Sequence, residues 1–251
     1  MTTEQITGRE YDERFYAREV GGETVYAPSW THVLSTVWPK SPQLEKWLGD
    51  VGTERAAQIM EEAGAVGTYV HGAIEEMLKG EVVQADEVRD RFPGTKALKP
   101  LKCLAAFVDF HNQFNLVPTR TEFTTWLPTV AGTVDFMGFF DKPVKKGNRI
   151  QAGEERVHGI IDWKTSTSVH DTHQAQVAGY YESERSVGEV DCACILHLGN
   201  NTKRGWSLVV VDLDKWVDLA FHAVKTFHLH FPNARPHIDI FPNAFAVEPR
   251  R

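Results

Sequence analysis

The stretch "IIDWKTS", residues 160–166, ends an apolar run with an acid and a lysine two positions apart. Its isoleucines and tryptophan indicate a buried strand. Because residues i and i+2 of a strand point to the same face, we expect Asp162 and Lys164 to project together and Trp163 to face the opposite way. Such a pair can be no more than a buried salt bridge, or it can be part of a charged functional site.

Upstream of this strand, residues 41–80 are predicted to be helical, with Ser41 as the cap before a proline and Gly80 as the end. A further helix covers residues 101–114, and residues 120–141 suggest two paired strands. The polar stretch from Lys142 to about Glu155 is predicted to be a hairpin tip.

Downstream, the pattern predicts a helix over 170–185, strands over 191–199 and 205–213, a closing helix over 214–231, and an irregular tail from Pro232. The order around "IIDWKTS" is therefore helix, three strands, helix, strand, which favours one mixed α/β domain. We expect a single domain over 1–251, with a helical part at about 28–115, a catalytic sheet at about 117–212, and a C-terminal helix and tail at 213–251.

Composition limits the possible classes of protein. A chain of 251 residues, 42% of them hydrophobic, can bury a sizeable core. The polar start and the lack of a long apolar run predict a soluble cytoplasmic protein with no membrane association. Cys103, Cys192 and Cys194 are too few for a disulfide framework and are expected to be free thiols.

The net charge of −7 argues against a protein coated in basic residues for nucleic-acid binding. Three local clusters of cations remain: Lys96, Lys99 and Lys102; Lys142, Lys145, Lys146 and Arg149; Lys203 and Arg204. Each can be an ordinary solvated loop. Together they could line a basic path on an acidic protein.

A second acid changes the interpretation of Asp162. Asp135 lies in a predicted strand between Gly132 and Gly138, which permit close backbone approach. If the two strands are neighbours, Asp135 and Asp162 converge, and two close carboxylates repel unless a cation such as Mg²⁺ or Mn²⁺ lies between them. A nearby lysine can orient water and stabilise charge on a phosphate, so the pattern points to phosphodiester hydrolysis.

The segments "GTVDF", "IIDWKTS" and "QVAGYY" resemble the PD-(D/E)XK nuclease superfamily, most of all its RecB-like exonuclease branch with phage-encoded and CRISPR-associated members. The resemblance runs from about Pro28 to Leu198. It includes "GTYVHGAIE", residues 67–75, which is similar to the G-T-x-x-H-x-x-x-E setting of that branch. It implies a restriction-endonuclease-like core of the αβββαβ type.

The resemblance also implies roles for individual residues. His71, Asp135 and Asp162 would bind Mg²⁺ or Mn²⁺ together with the backbone carbonyl of Trp163, and Lys164 would be the catalytic lysine. Helical spacing independently places Glu75 on the same face as the histidine, where it could orient that histidine or a water.

Further residues have open interpretations. Gln176 and Tyr180 would contact DNA and order the site by resemblance, or else the tyrosine packs in the core and the glutamine lies on the surface. Glu122 stands where RecB-like proteins often carry an acid; it could assist the metal site or pair with Arg120. The hydroxyls of Thr165 and Ser166 could cap the next helix or touch a phosphate.

"PSWTHVLS", residues 28–35, is similar to an N-terminal segment of the phage branch, and its Trp30 could stack on an unpaired base or lie in the core. Three cysteines do not match the four-cysteine iron–sulfur pattern of some members, so no cluster is expected. The proline that usually precedes the first acid of the family is replaced by Val134. No Walker A sequence is present, so ATPase activity would need another chain.

The function implied by the resemblance is a metal-dependent exonuclease acting on the ends of linear double-stranded DNA, in phage recombination or genome processing. A structure-specific or single-strand endonuclease would use the same residues. A catalytically silent DNA-binding accessory protein is the third possibility, although it would not need to keep buried charges together. DNA is the expected partner, and the phage resemblance suggests a single-strand annealing protein as another. Polarity and oligomeric state stay open.

Overall fold

The structure is a computed structural model, and it describes residues 3–7, 14–147 and 149–236. The strands are β1 (Thr3–Thr7), β2 (Arg14–Val20), β3 (Glu23–Pro28), β4 (Val117–Leu127), β5 (Val130–Lys146), β6 (Arg149–Lys164), β7 (Cys192–Leu198) and β8 (Trp206–Val210). The helices are α1 (Trp30–Val37), α2 (Pro42–Val51), α3 (Thr53–Leu78), α4 (Ala85–Arg91), α5 (Leu98–Phe114), α6 (Asp171–Arg185) and α7 (Leu213–His230), with a short 3₁₀ turn at Gly94–Ala97.

Five of the described strands form one mixed sheet in the order β4-β5-β6-β7-β8. Strands β4, β5 and β6 pair antiparallel, β6 pairs parallel with β7, and β8 returns antiparallel at the edge. The parallel pair needs a crossover, which α6 supplies. The predicted mixed α/β fold with a central sheet flanked by helices is confirmed at this level.

Two apolar layers cover the two faces of the sheet. On one face, α3 and α5 pack against side chains that include Phe136, Ile161 and Trp163. On the other face, α1, α6 and α7 pack against side chains that include Ile160 and Ile195. Ile160 lies in one layer and Ile161 and Trp163 lie in the other, because side chains of a strand point to alternate faces. Trp163 therefore faces away from Asp162, as the sequence predicts.

Several predicted helix ends are also confirmed. The Ser41 hydroxyl accepts a hydrogen bond from the backbone N–H of Leu44 at 3.2 Å, which caps α2. Helix α3 ends at Leu78, and Gly80 follows with a φ of 88°, a conformation that favours glycine. Between residues 30 and 114 the structure contains helices α1 to α5 and a 3₁₀ turn, with short irregular connections such as residues 81–84.

Two features differ from the sequence predictions. Strands β1, β2 and β3 form an antiparallel sheet that precedes the helical part and was not predicted. The polar stretch from Lys142 to about Glu155 forms the predicted hairpin tip, but it is strand rather than loop, because β5 and β6 pair as far as Lys146 and Arg149. A bulge near Asp141 and Pro143 interrupts the ladder where the proline lacks an N–H. Backbone pairing between long neighbouring strands thus overrides the polar composition.

Two further observations concern the C-terminal tail and the apolar character of the helices. Residues 232–236 contain neither helix nor strand, as predicted, and the tail from residue 237 lies outside the described residues. Among the helices that the structure describes, none has the length and apolar character needed to cross a membrane.

Candidate metal centre

A cleft of about 510 Å³ opens where β5 and β6 separate. Their ladder ends with Phe136 opposite Ile161, and Asp135 and Asp162 follow directly on the two strands. The cleft is lined from β2, α1, α3, β4, β5, β6 and α6. The predicted convergence of the two aspartates on neighbouring strands is therefore what the topology produces.

Three side chains in this cleft could hold a metal ion: His71 from α3, Glu122 from β4 and Asp135 from β5. One ligand atom from each lies within 4.8 Å of the other two. The Nδ1 atom of His71 is 3.3 Å from Oδ1 of Asp135. Adjacent ligands of an octahedral Mg²⁺ ion at 2.0–2.1 Å are separated by about 3 Å. The spacing of this pair is therefore compatible with a shared cation.

Glu122 has an unusual backbone for a strand residue. Its neighbours Thr121 and Phe123 pair with Phe136 and Val134, so Glu122 lies across from Asp135. Its φ is 45°, in the left-handed region that non-glycine residues rarely adopt. Backbone strain of this kind concentrates at functional sites. The possible pairing of Glu122 with Arg120 does not occur, because Arg120 pairs with Glu184 at 2.8 Å.

Asp162 and Lys164 form a buried ion pair at the inner wall of the cleft. Lys164 Nζ lies 2.7 Å from Asp162 Oδ2, and the two side chains are 16% and 2% exposed. Asp162 Oδ2 is thus occupied by the lysine, whereas the buried Oε1 of Glu122 has no hydrogen-bond partner among the described residues. A buried carboxylate oxygen with unused acceptor capacity fits a site that receives a cation.

Asp135 links the two halves of the site. Its Oδ2 accepts a 2.7 Å hydrogen bond from the backbone N–H of Trp163, while its Oδ1 faces His71. The indole of Trp163 lies in the opposite layer, edge-on to Phe107 with ring centroids 5.3 Å apart. The carboxylate is thus held in place by the backbone of the neighbouring strand.

The charged side chains in the cleft shift one another's pKa values. Burial lowers the pKa of His71, but the adjacent Asp135 carboxylate outweighs burial and raises that pKa to about 9. Burial raises the pKa of Asp135, but the charge and hydrogen bond of His71 hold it below the usual range. Burial, reinforced by the charge of Asp135, raises the pKa of Glu122 to about 7. Strong mutual perturbation of buried groups in a cleft is typical of functional sites.

Gln176 and Tyr180 lie together in the same cleft on α6. The amide Nε2 of Gln176 donates to the hydroxyl of Tyr180 at 2.6 Å, and both side chains are buried. Gln176 is 6% exposed and is therefore not a surface residue. A Cβ on Gly132 would lie 2.4 Å from the Tyr180 ring, and one on Gly138 would lie 2.3 Å from the carbonyl oxygen of Val117. Both glycines permit the close approach that the sequence predicts.

Glu75 lines the cleft from α3, one helical turn beyond the histidine, and its carboxylate accepts a 2.6 Å hydrogen bond from Lys79. Trp30 is fully buried in the core. Its predicted alternative, stacking on an unpaired base, is wrong for this reason.

Thr165 and Ser166 do not cap the next helix, contrary to one sequence prediction. The N-cap of α6 is His170, whose backbone N–H donates to Nδ1 of His173 at 3.2 Å. Thr165 is buried, with its hydroxyl 3.3 Å from where a Cβ on Gly67 of α3 would lie. The Ser166 hydroxyl donates to the carbonyl of Ser168. The loop between β6 and α6 is long enough to separate these hydroxyls from the helix start.

Sequence reasoning missed the contribution of the N-terminal sheet. Arg14 and Tyr16 of β2 line the cleft, and the Tyr16 hydroxyl lies 2.9 Å from Oγ1 of Thr133. These residues precede the segment on which the resemblance rests, and no local motif marks them. A contact between elements more than a hundred residues apart leaves no signal in a single sequence.

In comparisons with known proteins, the chain matches no protein-family model and no curated protein. The structure brings together every predicted metal-binding side chain and Lys164 in one cleft, and it groups Glu122 with His71 and Asp135. That any of these side chains, or the Trp163 carbonyl, binds a metal stays a prediction.

Proposed function

We propose that the protein is a metal-dependent deoxyribonuclease that acts on the ends of linear double-stranded DNA, with a restriction-endonuclease-like core of the RecB-like type. The observation that carries the proposal is the meeting of His71, Glu122 and Asp135 beside the Asp162–Lys164 pair in one cleft. An imidazole and hard carboxylate oxygens form a donor set that suits Mg²⁺ or Mn²⁺.

His71, Glu122 and Asp135 would hold a divalent cation, and the bound ion would supply Lewis acidity for the hydrolysis of a phosphodiester. The reaction forms a bond between phosphorus and the water oxygen and breaks the bond between phosphorus and one sugar oxygen. The water loses a proton and the leaving sugar oxygen gains one. Lys164 can donate a hydrogen bond to a phosphate oxygen as negative charge develops there. Asp162 holds that lysine at 2.7 Å.

The order of elements is a second support. Three antiparallel strands, a crossover helix and a parallel strand place both acids and the lysine at one end of the sheet. The buried charges are costly to keep, because burial penalises ionised groups. A catalytic role explains better than a role in stability why five charged groups, two buried and three half-buried, share one cleft.

The test is digestion of linear duplex DNA labelled separately at its 5′ and 3′ ends, beside closed circular DNA, with Mg²⁺, Mn²⁺ or chelator. We expect metal-dependent loss of one end label, no cutting of the circle, and loss of activity in Asp162→Ala and Lys164→Ala. A matched control is Asp141→Ala, an acid of the same sheet that pairs with Arg156 outside the cleft. Cutting of the circle would favour an endonuclease, and no cleavage of any DNA in any metal would refute the proposal.

A further inference from the structure

A second, basic groove of about 410 Å³ lies at the β8 edge of the sheet. It forms between the end of the β5–β6 hairpin and the loop that joins β7 to β8. Arg149 comes from the hairpin, Lys203 and Arg204 come from the loop, and the hydroxyls of Thr202 and Ser207 add polar groups. Two of the basic clusters in the sequence are thus brought together by the fold, and no lining residue is shared with the cleft.

The cations of this groove are available to a ligand. Within the described residues, Arg149, Lys203 and Arg204 form no ion pair with an acidic side chain, and no acidic side chain lines the groove. The guanidinium of Arg204 lies over the ring of Trp206, 5.0 Å from its centroid, which holds its position. By contrast, Lys142 of the same hairpin is neutralised by Glu155 at 2.7 Å.

Two further cations extend the positive surface. Lys145 and Lys146 are exposed and pair across the hairpin with Ile150 and Arg149. Neither forms an ion pair with any acidic side chain among the described residues. In a chain with a net charge of −7, an unneutralised group of five cations indicates a polyanionic ligand.

The sheet connects this groove to the cleft. Lys164 pairs with His197 of β7, and His197 pairs with Ser207 of β8, so the three residues form one row across the sheet. Two strand spacings separate the ends of the row, which is about 10 Å. This spacing applies to Ser207, whose neighbours Trp206 and Leu208 pack in the same layer as Trp163, on the face of the sheet opposite to Lys164. The groove is therefore a separate surface at the edge of the sheet that also carries the cleft.

We propose that the basic groove binds the phosphodiester backbone of the DNA substrate outside the cleft. The inference rests on the proposed function and adds to it the path of the substrate. Contacts of Arg149, Lys203 and Arg204 with phosphates position the strand without reading its sequence. Such contacts make binding dependent on salt, because each neutralised phosphate releases counterions.

The test compares Arg149→Ala/Lys203→Ala/Arg204→Ala with Lys96→Ala/Lys99→Ala/Lys102→Ala, a control that removes the same charge from the remaining cluster. Fluorescence anisotropy with a labelled duplex is measured in chelator over a series of NaCl concentrations. For the groove variant we expect affinity to fall on the order of tenfold or more, and the slope of log K against log[salt] to decrease by about 2.7. The control variant should keep the wild-type slope, and both should unfold at the wild-type temperature.

The outcomes separate the inference from the proposed function. If the wild type cleaves DNA and the groove variant binds it with an unchanged salt slope, the path is wrong and the nuclease stands. If polyglutamate competes as well as unlabelled DNA at equal charge, the groove is a general polyanion surface and the inference is also wrong. If the wild type neither binds nor cleaves DNA, the proposed function falls and the inference falls with it.

Discussion

Gly179 lies on α6, the helix that carries Gln176 and Tyr180, where this helix packs against α1. A Cβ at this position would lie 2.4, 2.5 and 2.7 Å from three atoms of the Trp30 indole. Non-bonded carbon atoms rest at about 3.5–4.0 Å, so Gly179→Ala forces the ring or the helix to move by about 1 Å. Trp30 is 0% exposed and has no open space to move into. We therefore expect this single methyl group to destabilise the fold.

The expected loss of stability in Gly179→Ala is the difference between two opposing effects. Inserting a carbon into a well-packed core costs about 1–3 kcal/mol, and the upper end applies because three atoms of a rigid ring are approached at once. Alanine in a helix interior returns up to about 1 kcal/mol relative to glycine. The net loss is about 2 kcal/mol, or about 4–8 °C in melting temperature for a domain of this size. DNA cleavage should fall as well, because Gln176 and Tyr180 move with α6.

Gly64 of α3 provides a matched control. It is also in a helix interior, but it is exposed and a Cβ there meets nothing within 4 Å. Gly64→Ala should raise stability by up to about 1 kcal/mol, the opposite sign. Thermal unfolding followed by circular dichroism measures both variants. A melting temperature of Gly179→Ala at or above that of the wild type would show that Trp30 does not pack against α6 as described. In a Trp30→Phe background, the cost of Gly179→Ala should shrink.

Three further predictions concern the site and the thiols. In chelator at pH 8, the Glu122→Gln variant should unfold at a higher temperature than the wild type. The reason is that the pKa of Glu122 is raised to about 7 in the folded state, so the free energy of unfolding of the wild type falls as pH rises from about 4.5 to 7. The difference should be about 1–2 kcal/mol after solvent screening in the open cleft, and should vanish below pH 4 in the same melts. Mg²⁺ or Mn²⁺ should raise the melting temperature of the wild type but not that of Asp135→Asn, and calorimetric titration should detect no metal binding to the variant. If the metal stabilises both proteins equally, the cation binds elsewhere. Burial raises the pKa of the Cys103 thiol to about 11, so iodoacetamide at pH 8 should modify the half-buried Cys192 before Cys103. Mass spectrometry measures the order of modification, and early modification of Cys103 would contradict its burial.

The interpretation of Glu122 shows how far sequence reasoning reaches at the site. The sequence places an acid in a predicted strand but cannot say which way its side chain points once the backbone adopts a φ of 45°. Only the pairing of β4 with β5 sets Glu122 across from Asp135 and beside His71. The two-residue period of β6 was enough to predict that Asp162 and Lys164 share a face. That regularity is local, whereas the strain at Glu122 is imposed by the surrounding structure.

The sequence by itself determined the order of helices and strands from α5 to α7, the cap at Ser41, and the separation of Trp163 from Asp162 and Lys164. These features depend on periodicity and capping within about a dozen neighbouring residues. The tertiary structure alone decided that β2 lines the cleft, that Trp30 lies in the core, and that the hairpin and the β7–β8 loop share a basic groove. Each of these depends on contacts between residues far apart in the chain, because distant segments meet only when their apolar faces are buried together.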